Sequence, residues 1–126
     1  MKESAMQNEY KMPNRENMQL MVQMYEKSAV IKVSGSAGMS EAHQLLEQLE
    51  ELSTQKVAVI ILDLSEMDFI CSMGLGAIIS GHLKSRHHQG VIKLVNPQNS
   101  VMELLETTKL TKLFTIYSSI EQAMAI

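Results

Sequence analysis

The chain has 126 residues, of which 45% are hydrophobic and 20% charged, the balance of a single globular domain with a substantial core. Its net charge of −3 and pI near 5.8 argue against a nucleic-acid-binding protein, which should carry a basic face. The longest apolar run, Val57 to Leu62, cannot cross a bilayer, and with one cysteine and no secretion signal we expect a cytoplasmic protein without membrane insertion.

The beginning of the sequence predicts an extension followed by a β-hairpin. Residues 1–17 are polar, contain Pro13 and show no sustained hydrophobic period, so we expect a flexible extension ahead of a domain at residues 18–126. Met18 to Tyr25 and Ser28 to Ser34 are rich in strand-forming residues and flank two polar residues. This pattern predicts two antiparallel strands joined by a tight turn.

The middle of the sequence predicts a loop, a helix, a strand and a second helix. Gly35 to Gly38 is the predicted loop, and Ser40 is the predicted cap of the first helix. Lys56 to Asp63 is a short aliphatic run, typical of a strand buried on both faces. The second helix is predicted from Met73 to His88, because a glycine two residues later is a normal stop. The predicted inner faces of the two helices are Ala42, Leu45, Leu46, Leu49 and Leu52 for the first, and Leu75, Ile78, Ile79, His82 and Leu83 for the second.

The last third predicts one more buried strand and two short helices. Val91 to Val95 is aliphatic and is followed by a proline. Ser100 and Ser118 each precede a glutamate by three residues, which is the spacing of a capping box and predicts two helix starts. Phe114 to Ile116 is a predicted short strand between them. Strands that alternate with helices predict a sheet with parallel pairs and right-handed crossovers.

Ser72 is the main functional candidate that the residues themselves offer. The sequence around it places a small hydroxyl residue at or near the start of a helix and on the surface, where functional residues concentrate. One interpretation is a helix cap. The other is a site that accepts phosphate, because a helix N-terminus offers free N–H groups and the positive end of the helix dipole.

Other reactive residues form weaker patterns. Cys71, beside the same helix start, is either a buried spacer or a redox-sensitive thiol. Asp63 and Asp68 invite a paired-carboxylate interpretation, but strand-end and turn aspartates explain them better. His87-His88 fits a solvated last helical turn better than a metal site, and Gly74-Leu75-Gly76 lacks the third small residue of a dinucleotide motif. The residues therefore predict no catalytic constellation, metal or cofactor.

An ordered set of motifs resembles the STAS family, the domain shared by sulfate transporters and anti-sigma-factor antagonists. The main match is Asp63-Leu64-Ser65 after a hydrophobic strand, followed by Phe69-Ile70-Cys71-Ser72-Met73-Gly74-Leu75-Gly76 at a helix start. Further matches are Val33-x-Gly35, Gly90 to Val95 and the ending Leu110 to Ala123, so the likeness runs from about Val30 to the C-terminus. The resemblance implies the α/β class: a single domain with a four- or five-stranded mixed β-sheet and about four α-helices packed largely on one face.

The resemblance also implies a function, that of a non-enzymatic anti-sigma-factor antagonist. Ser72 stands at the position that a kinase-type anti-sigma factor phosphorylates in this family, and that a PP2C-type phosphatase restores. Cys71 stands where the family usually has aspartate, and Met73 where it has serine, threonine or alanine. The loop Ser36-Ala37-Gly38 also departs from the acidic loop common in the family. The implied partner-binding residues are Gly35, Ser36, Ala37, Gly38, Met39, Ser40, Asp68, Phe69, Ile70, Cys71, Ser72, Met73 and Gly74.

Two other classes of function stay open at this point. One is a constitutive accessory subunit of an ABC-type lipid transporter, with Ser72 unmodified. The other is an enzyme or redox sensor built on Cys71. The sequence also leaves open whether the chain forms a homodimer.

Overall fold

The computed structural model describes residues 18–125 and begins with the predicted hairpin. β1 (Met18–Met24) pairs antiparallel with β2 (Ser28–Ala37). The Tyr25 amide donates to the Ser28 carbonyl oxygen at 2.8 Å and closes the turn between the strands. The hairpin prediction is confirmed, whereas the predicted extension at residues 1–17 lies outside the described residues.

Strands and helices then alternate and build a sheet that is parallel beyond the hairpin. The elements are β3 (Val59–Ile70), β4 (Val91–Val95) and β5 (Ile116–Tyr117), with α1 (Met39–Thr54), α2 (Ser72–Arg86), α3 (Asn99–Thr107), a 3-10 turn (Leu110–Lys112) and α4 (Ile120–Met124). The strand order is β1-β2-β3-β4-β5, and the three pairs after β1·β2 are parallel. The predicted α/β fold with a mixed sheet and about four helices is confirmed.

The two faces of the sheet are covered unequally. One face carries the main core, in which the sheet side chains pack against the inner sides of α1, α2 and α3; its fully buried members include Ile31, Leu45, Leu49, Ile60, Leu62, Leu64, Ile92, Leu94 and Leu105. The other face is covered by the short α4, where Ala123 packs on Val30, Ile61 and Val95. Three helices on one face and one on the other agree with the predicted arrangement.

The strands β2 and β3 are longer than the sequence predicts. The predicted strand Lys56 to Asp63 begins at Val59 and continues to Ile70, and residues 35–37 of the predicted loop belong to β2. The polar residues after Asp63 look like a break, but buried Met67 and Ile70 alternate with them and still pair with β2. Two register shifts accommodate this extension, the second beside Gly35, whose φ of 91° favours glycine.

Three predicted helix caps are wrong. α1 is capped by Gly38 rather than Ser40, and α3 by Gln98 rather than Ser100, both without a side-chain hydrogen bond. α4 is capped by Ser119, one residue after the predicted Ser118, and its hydroxyl oxygen accepts from the Gln122 amide at 3.1 Å. Capping-box spacing recurs by chance in polar loops, and the path of the chain decides where each helix begins.

Two further expectations about apolar residues need correction. Leu83, predicted on the inner face of the second helix, is 53% exposed, because the apolar face of α2 is narrower than the sequence suggests. The predicted strand Phe114 to Ile116 is displaced to β5 at Ile116–Tyr117, because Phe114 instead fills the main core after the 3-10 turn.

Candidate partner-binding site

The carboxyl ends of β2 and β3 bring together the two predicted binding segments. Parallel strands end at the same edge of a sheet, and here Ser36 pairs with Phe69 and Ala37 with Ile70. The Ser36 hydroxyl donates to Asp68 Oδ1 at 2.7 Å across the two strands. Residues 35–40 and 68–74 therefore form one surface, as the predicted residue set requires.

The turn from β3 into α2 is held against the end of β2. The Cys71 amide donates to the Ala37 carbonyl oxygen at 3.0 Å. Gly74 allows the close approach, since a Cβ there would lie 2.6 Å from Ile70 Cγ1 and 3.4 Å from the Ala37 oxygen. Ala37, Ile70 and Gly74 are all buried, so these members of the predicted set support the surface from beneath.

Ser72 is exposed and is the first residue of α2. The cap of the helix is Cys71, in an extended conformation and without a side-chain capping bond, so the interpretation of Ser72 as a helix cap is wrong. The first helical bond runs from the Leu75 amide to the Cys71 carbonyl oxygen at 3.0 Å. The amides of residues 72–74 precede that bond and have no acceptor within the helix.

This geometry suits a negatively charged group on the Ser72 oxygen. Unpaired amides and the positive end of the helix dipole both favour an anion at a helix N-terminus. The first turn of α2 contains no acidic residue that would repel such a group. The site can therefore carry a phosphoryl group without displacing an existing side-chain cap.

The segments that form this surface also carry large, exposed apolar side chains. Met39 is 69%, Phe69 52% and Met73 53% exposed, although apolar side chains of this size are usually buried. Met73 borders a groove of about 200 Å³ between α1 and α2, whose walls include Ala42 and Leu46. An exposed apolar cluster around a polar centre is typical of a surface that binds another protein.

A second groove shows that α3 borders the candidate site, which the sequence does not predict. Phe69 and Asp68 share a groove of about 190 Å³ with Ser100 and Leu104 of α3. The Ser100 hydroxyl donates to the Asp68 carbonyl oxygen at 3.5 Å. About thirty residues separate these segments in the chain, so only the fold reveals that α3 borders the site.

The remaining predicted members lie at the margin of the surface. Gly35 and Gly38 are half-buried, and Ser40 is exposed in the first turn of α1. Cys71 is half-buried and has a free thiol. All thirteen predicted residues thus lie on or directly under one surface, and their contact with a partner stays a prediction.

Comparison with known proteins identifies the family. The sequence model of the STAS domain family matches residues 19–123, which is most of the chain. The chain belongs to the STAS family. No helix of this STAS domain, within residues 18–125, is long and apolar enough to cross a membrane.

Solved structures share the fold at low sequence identity. An anti-sigma factor antagonist from Mycobacterium paratuberculosis has a TM-score of 0.79 and 21% identity, with coverage of 90% of this chain and 97% of that one. A putative anti-sigma factor antagonist from Thermotoga maritima has a TM-score of 0.76 and 24% identity over 84% and 92% of the two chains. The anti-sigma factor antagonist SpoIIAA in its unphosphorylated form has a TM-score of 0.76 and 19% identity over 84% and 93%. These likenesses establish the STAS fold.

The other sequence candidates are not assembled into a reactive centre. The Asp63 carboxylate accepts from the Ser65 amide at 3.1 Å, whereas Asp68 is engaged by Ser36. His88 Nε2 lies 3.3 Å from the Ser53 hydroxyl, and no group of three histidine, cysteine or acidic residues within 18–125 could hold a metal ion. Of these candidates only Asp68 lies on the surface that contains Ser72, and its carboxylate is engaged by Ser36.

Two oppositely charged side chains with shifted pKa values lie beside the first register shift between β2 and β3. Lys32 Nζ lies 3.0 Å from Glu66 Oε2, and the Ser34 hydroxyl donates to Glu66 Oε1 at 3.3 Å. The hydrogen bond between Lys32 and Glu66, followed by their charge attraction, raises the pKa of Lys32 and lowers the pKa of Glu66. Both side chains are well solvated, so this pair fixes local geometry more than it stabilises the fold.

His82 is a buried titratable group of the core. Its Nδ1 accepts from the Ile92 amide at 3.4 Å, and its ring packs edge-on against Phe114 with 4.9 Å between ring centroids. Burial, followed by the nearby charge of Arg86, lowers the pKa of His82. The prediction that His82 lies on the inner face of α2 is confirmed, and its burial there disfavours the charged form of the ring.

Proposed function

We propose that this STAS domain is a regulatory protein of the anti-sigma-factor-antagonist type, controlled by phosphorylation of Ser72. In its unphosphorylated form it binds a kinase-type anti-sigma factor, or a similar switch protein, through the surface around Ser72. Phosphorylation by that partner ends the binding, and a PP2C-type phosphatase restores it. The domain has no catalytic activity of its own in this proposal and works in the cytoplasm.

The position of Ser72 is the observation that carries this proposal. It is an exposed hydroxyl at the first residue of α2, on the surface that also carries the exposed apolar side chains Met39, Phe69 and Met73, here called the apolar cluster. A structural serine has no need of such surroundings. A kinase needs an accessible hydroxyl, and a binding partner needs apolar surface to bury, and this surface offers both.

Phosphorylation at this place would change binding more than folding. A phosphoryl group adds about −1.5 to −2 charges at neutral pH. The first amides of α2 donate to no side-chain cap, so they are available to donate hydrogen bonds to an added oxyanion. A bound partner would instead have to bury that charge against the apolar cluster, which is costly.

One structural neighbour supports the phosphorylation step. SpoIIAA is known both in an unphosphorylated and in a phosphorylated form, and both forms share the fold of this chain, with TM-scores of 0.76 and 0.69. The same fold therefore accommodates a phosphorylated state in a protein of this family. The residue departures at Cys71 and Met73 leave the hydroxyl and the helix N-terminus in place.

A constitutive docking subunit is the second candidate, as in an ABC-type lipid transporter. A murine Slc26a9 anion transporter contains this fold in 18% of its chain, with a TM-score of 0.68 and 15% identity over 82% of the present chain. In this alternative Ser72 stays unmodified, and the apolar cluster binds its partner permanently.

Substitutions at Ser72 distinguish the two functions. The assay is the affinity for a purified kinase-type or ATPase partner, measured by calorimetry. Ser72→Ala should bind like the wild type, because it removes one exposed hydroxyl. Ser72→Asp should bind at least tenfold more weakly, since an uncompensated interface charge costs about 2–5 kcal/mol.

The matched control is Thr111→Asp, which adds the same charge at an exposed residue of the 3-10 turn. It should leave the affinity unchanged. Equal affinities for the wild type, Ser72→Ala and Ser72→Asp would contradict the switch and favour the constitutive subunit.

A further inference from the structure

β1 is an edge strand without the features that usually protect such edges. Within residues 18–125 it pairs with β2 alone, over all seven residues and without a register shift. Its sequence Met-Gln-Leu-Met-Val-Gln-Met contains no charge and no proline. Natural edge strands are commonly blunted by charges, prolines or bulges, because an open row of backbone groups recruits another strand.

Exposed apolar side chains are also concentrated at this edge. Of the ten large hydrophobic side chains that are exposed within residues 18–125, four lie in the short segment 21–25. These are Met21 at 67%, Val22 at 39%, Met24 at 50% and Tyr25 at 42%. A second cluster surrounds Ser72, so the β1 edge is a separate candidate interface.

The sequence of β1 is nearly the same when it is read backwards. Around the central Met21, leucine is matched by valine, glutamine by glutamine and methionine by methionine. Two copies that pair antiparallel about a two-fold axis at Met21 therefore place each side chain opposite one of its own kind. A chemically palindromic strand is suited to a second copy of itself, because an isologous interface requires self-complementarity.

The backbone geometry permits this pairing register. Tyr25 and Ser28 form a hydrogen-bonded pair, and such pairs recur at every second residue of an antiparallel ladder. Gln19, Met21 and Gln23 therefore direct their backbone groups at β2. The groups that face the free edge belong to Met18, Leu20, Val22 and Met24. A two-fold axis at Met21 pairs residue 18 with 24 and residue 20 with 22, so outward-facing groups meet outward-facing groups.

We propose that the β1 edge is a homodimer interface, in which two copies join their β1 strands antiparallel about Met21 and form one continuous ten-stranded sheet. The interface lies at the far edge of the sheet from β4 and β5 and does not involve Ser72. The dimer proposal is therefore independent of the phosphorylation switch, and either one can be wrong without the other.

Sedimentation velocity of the full chain over a range of concentrations tests the proposal. We expect a reversible dimer. Met21→Lys should weaken it at least tenfold, because it places two lysines directly opposite each other across the axis, with their Cα atoms about 4.5 Å apart, and like charges in such a pair repel. The matched control Leu83→Lys changes an exposed apolar residue of α2 and should leave the dimer intact.

A backbone substitution gives an independent check. Val22→Pro removes an amide that faces the free edge and none that bonds to β2, so the chain should stay folded by circular dichroism while the dimer is lost. A chain that is monomeric at all concentrations would overturn the proposal, and so would a dimer that survives both Met21→Lys and Val22→Pro. A full chain that stays monomeric while the version without residues 1–12 dimerises would also overturn it, because the N-terminal segment would then occupy the edge.

Disulfide trapping in a Cys71→Ala background tests the register. Residues 19 and 23 of the two copies are opposite one another in the proposed pairing. A mixture of Gln19→Cys and Gln23→Cys chains should cross-link under mild oxidation, whereas either variant alone should cross-link poorly. Efficient cross-linking of Gln19→Cys with itself would contradict the axis at Met21.

Discussion

The contact between α1 and α2 predicts opposite effects for the same substitution at two glycines of one helix. Gly81 faces the core, and a Cβ there would lie 2.9 Å from Leu49 Cδ1, 3.0 Å from Leu49 Cβ and 3.3 Å from Ile92 Cδ1. Gly76 lies on the exposed side of α2, where a Cβ would meet no atom within 4 Å. The pair separates the effect of packing from that of helix propensity.

Alanine is more favourable than glycine inside a helix by about 0.8–1 kcal/mol at either position. Gly76→Ala should therefore stabilise the domain by about that amount. Gly81→Ala receives the same gain but must also displace Leu49, whose Cβ is fixed to the α1 backbone, and overpacking of this kind costs about 1–3 kcal/mol. We expect Gly81→Ala to be less stable than Gly76→Ala by about 1–3 kcal/mol.

Urea denaturation of the two variants and the wild type measures this difference directly, provided that the denaturant slope is unchanged. The thermal midpoint of Gly76→Ala should rise by a few degrees, and that of Gly81→Ala should not. If Gly81→Ala were as stabilising as Gly76→Ala, α1 and α2 would not pack as closely as described, and the position of the Ser72 helix would be in error.

Two further predictions concern pH and the N-terminal segment. Because burial lowers the pKa of His82, the folded state binds a proton there less readily than the unfolded state does. The stability that the neutral ring contributes is therefore present above about pH 6.5 and is lost as the pH falls below it. The free energy of unfolding, measured between pH 7.5 and pH 5, should fall in the wild type and in His43→Gln, a control at an exposed histidine. It should fall less in His82→Gln. Deleting Met1 to Met12 should leave the melting temperature nearly unchanged, because a polar segment without a hydrophobic period adds little to the core. A large drop after the deletion would show that the segment packs on the domain or on a second copy.

The elements that depend on burial were predictable from the sequence. The strand Val91 to Val95 is confirmed to the residue, and the inner face of α1 is confirmed at Ala42, Leu45, Leu49 and Leu52. Apolar side chains repeat with the period of the element that buries them, so the pattern survives in the sequence. The ordered motifs around Ser72 then placed the chain in the correct family.

The parts that depend on tertiary contacts were not predictable in this way. β3 runs on to Ile70 because β2 extends beside it, and the polar residues in that stretch conceal the strand. Ser40 and Ser100 have the right chemistry for caps, but the observed cap of each helix lies two residues earlier in the chain. The contribution of α3 to the candidate site follows from a contact between Ser100 and Asp68 that no local pattern encodes.

The phosphorylation state of the protein in its native cells tests the proposed switch most directly. The measurement is the intact mass of the chain purified from those cells, with and without phosphatase treatment, followed by assignment of the modified residue by peptide fragmentation. We expect a fraction of the chain to carry one phosphate, on Ser72, and only the unmodified fraction to copurify with the kinase-type partner. A chain that never carries phosphate on Ser72, or whose phosphorylated form stays bound to that partner, would contradict the switch.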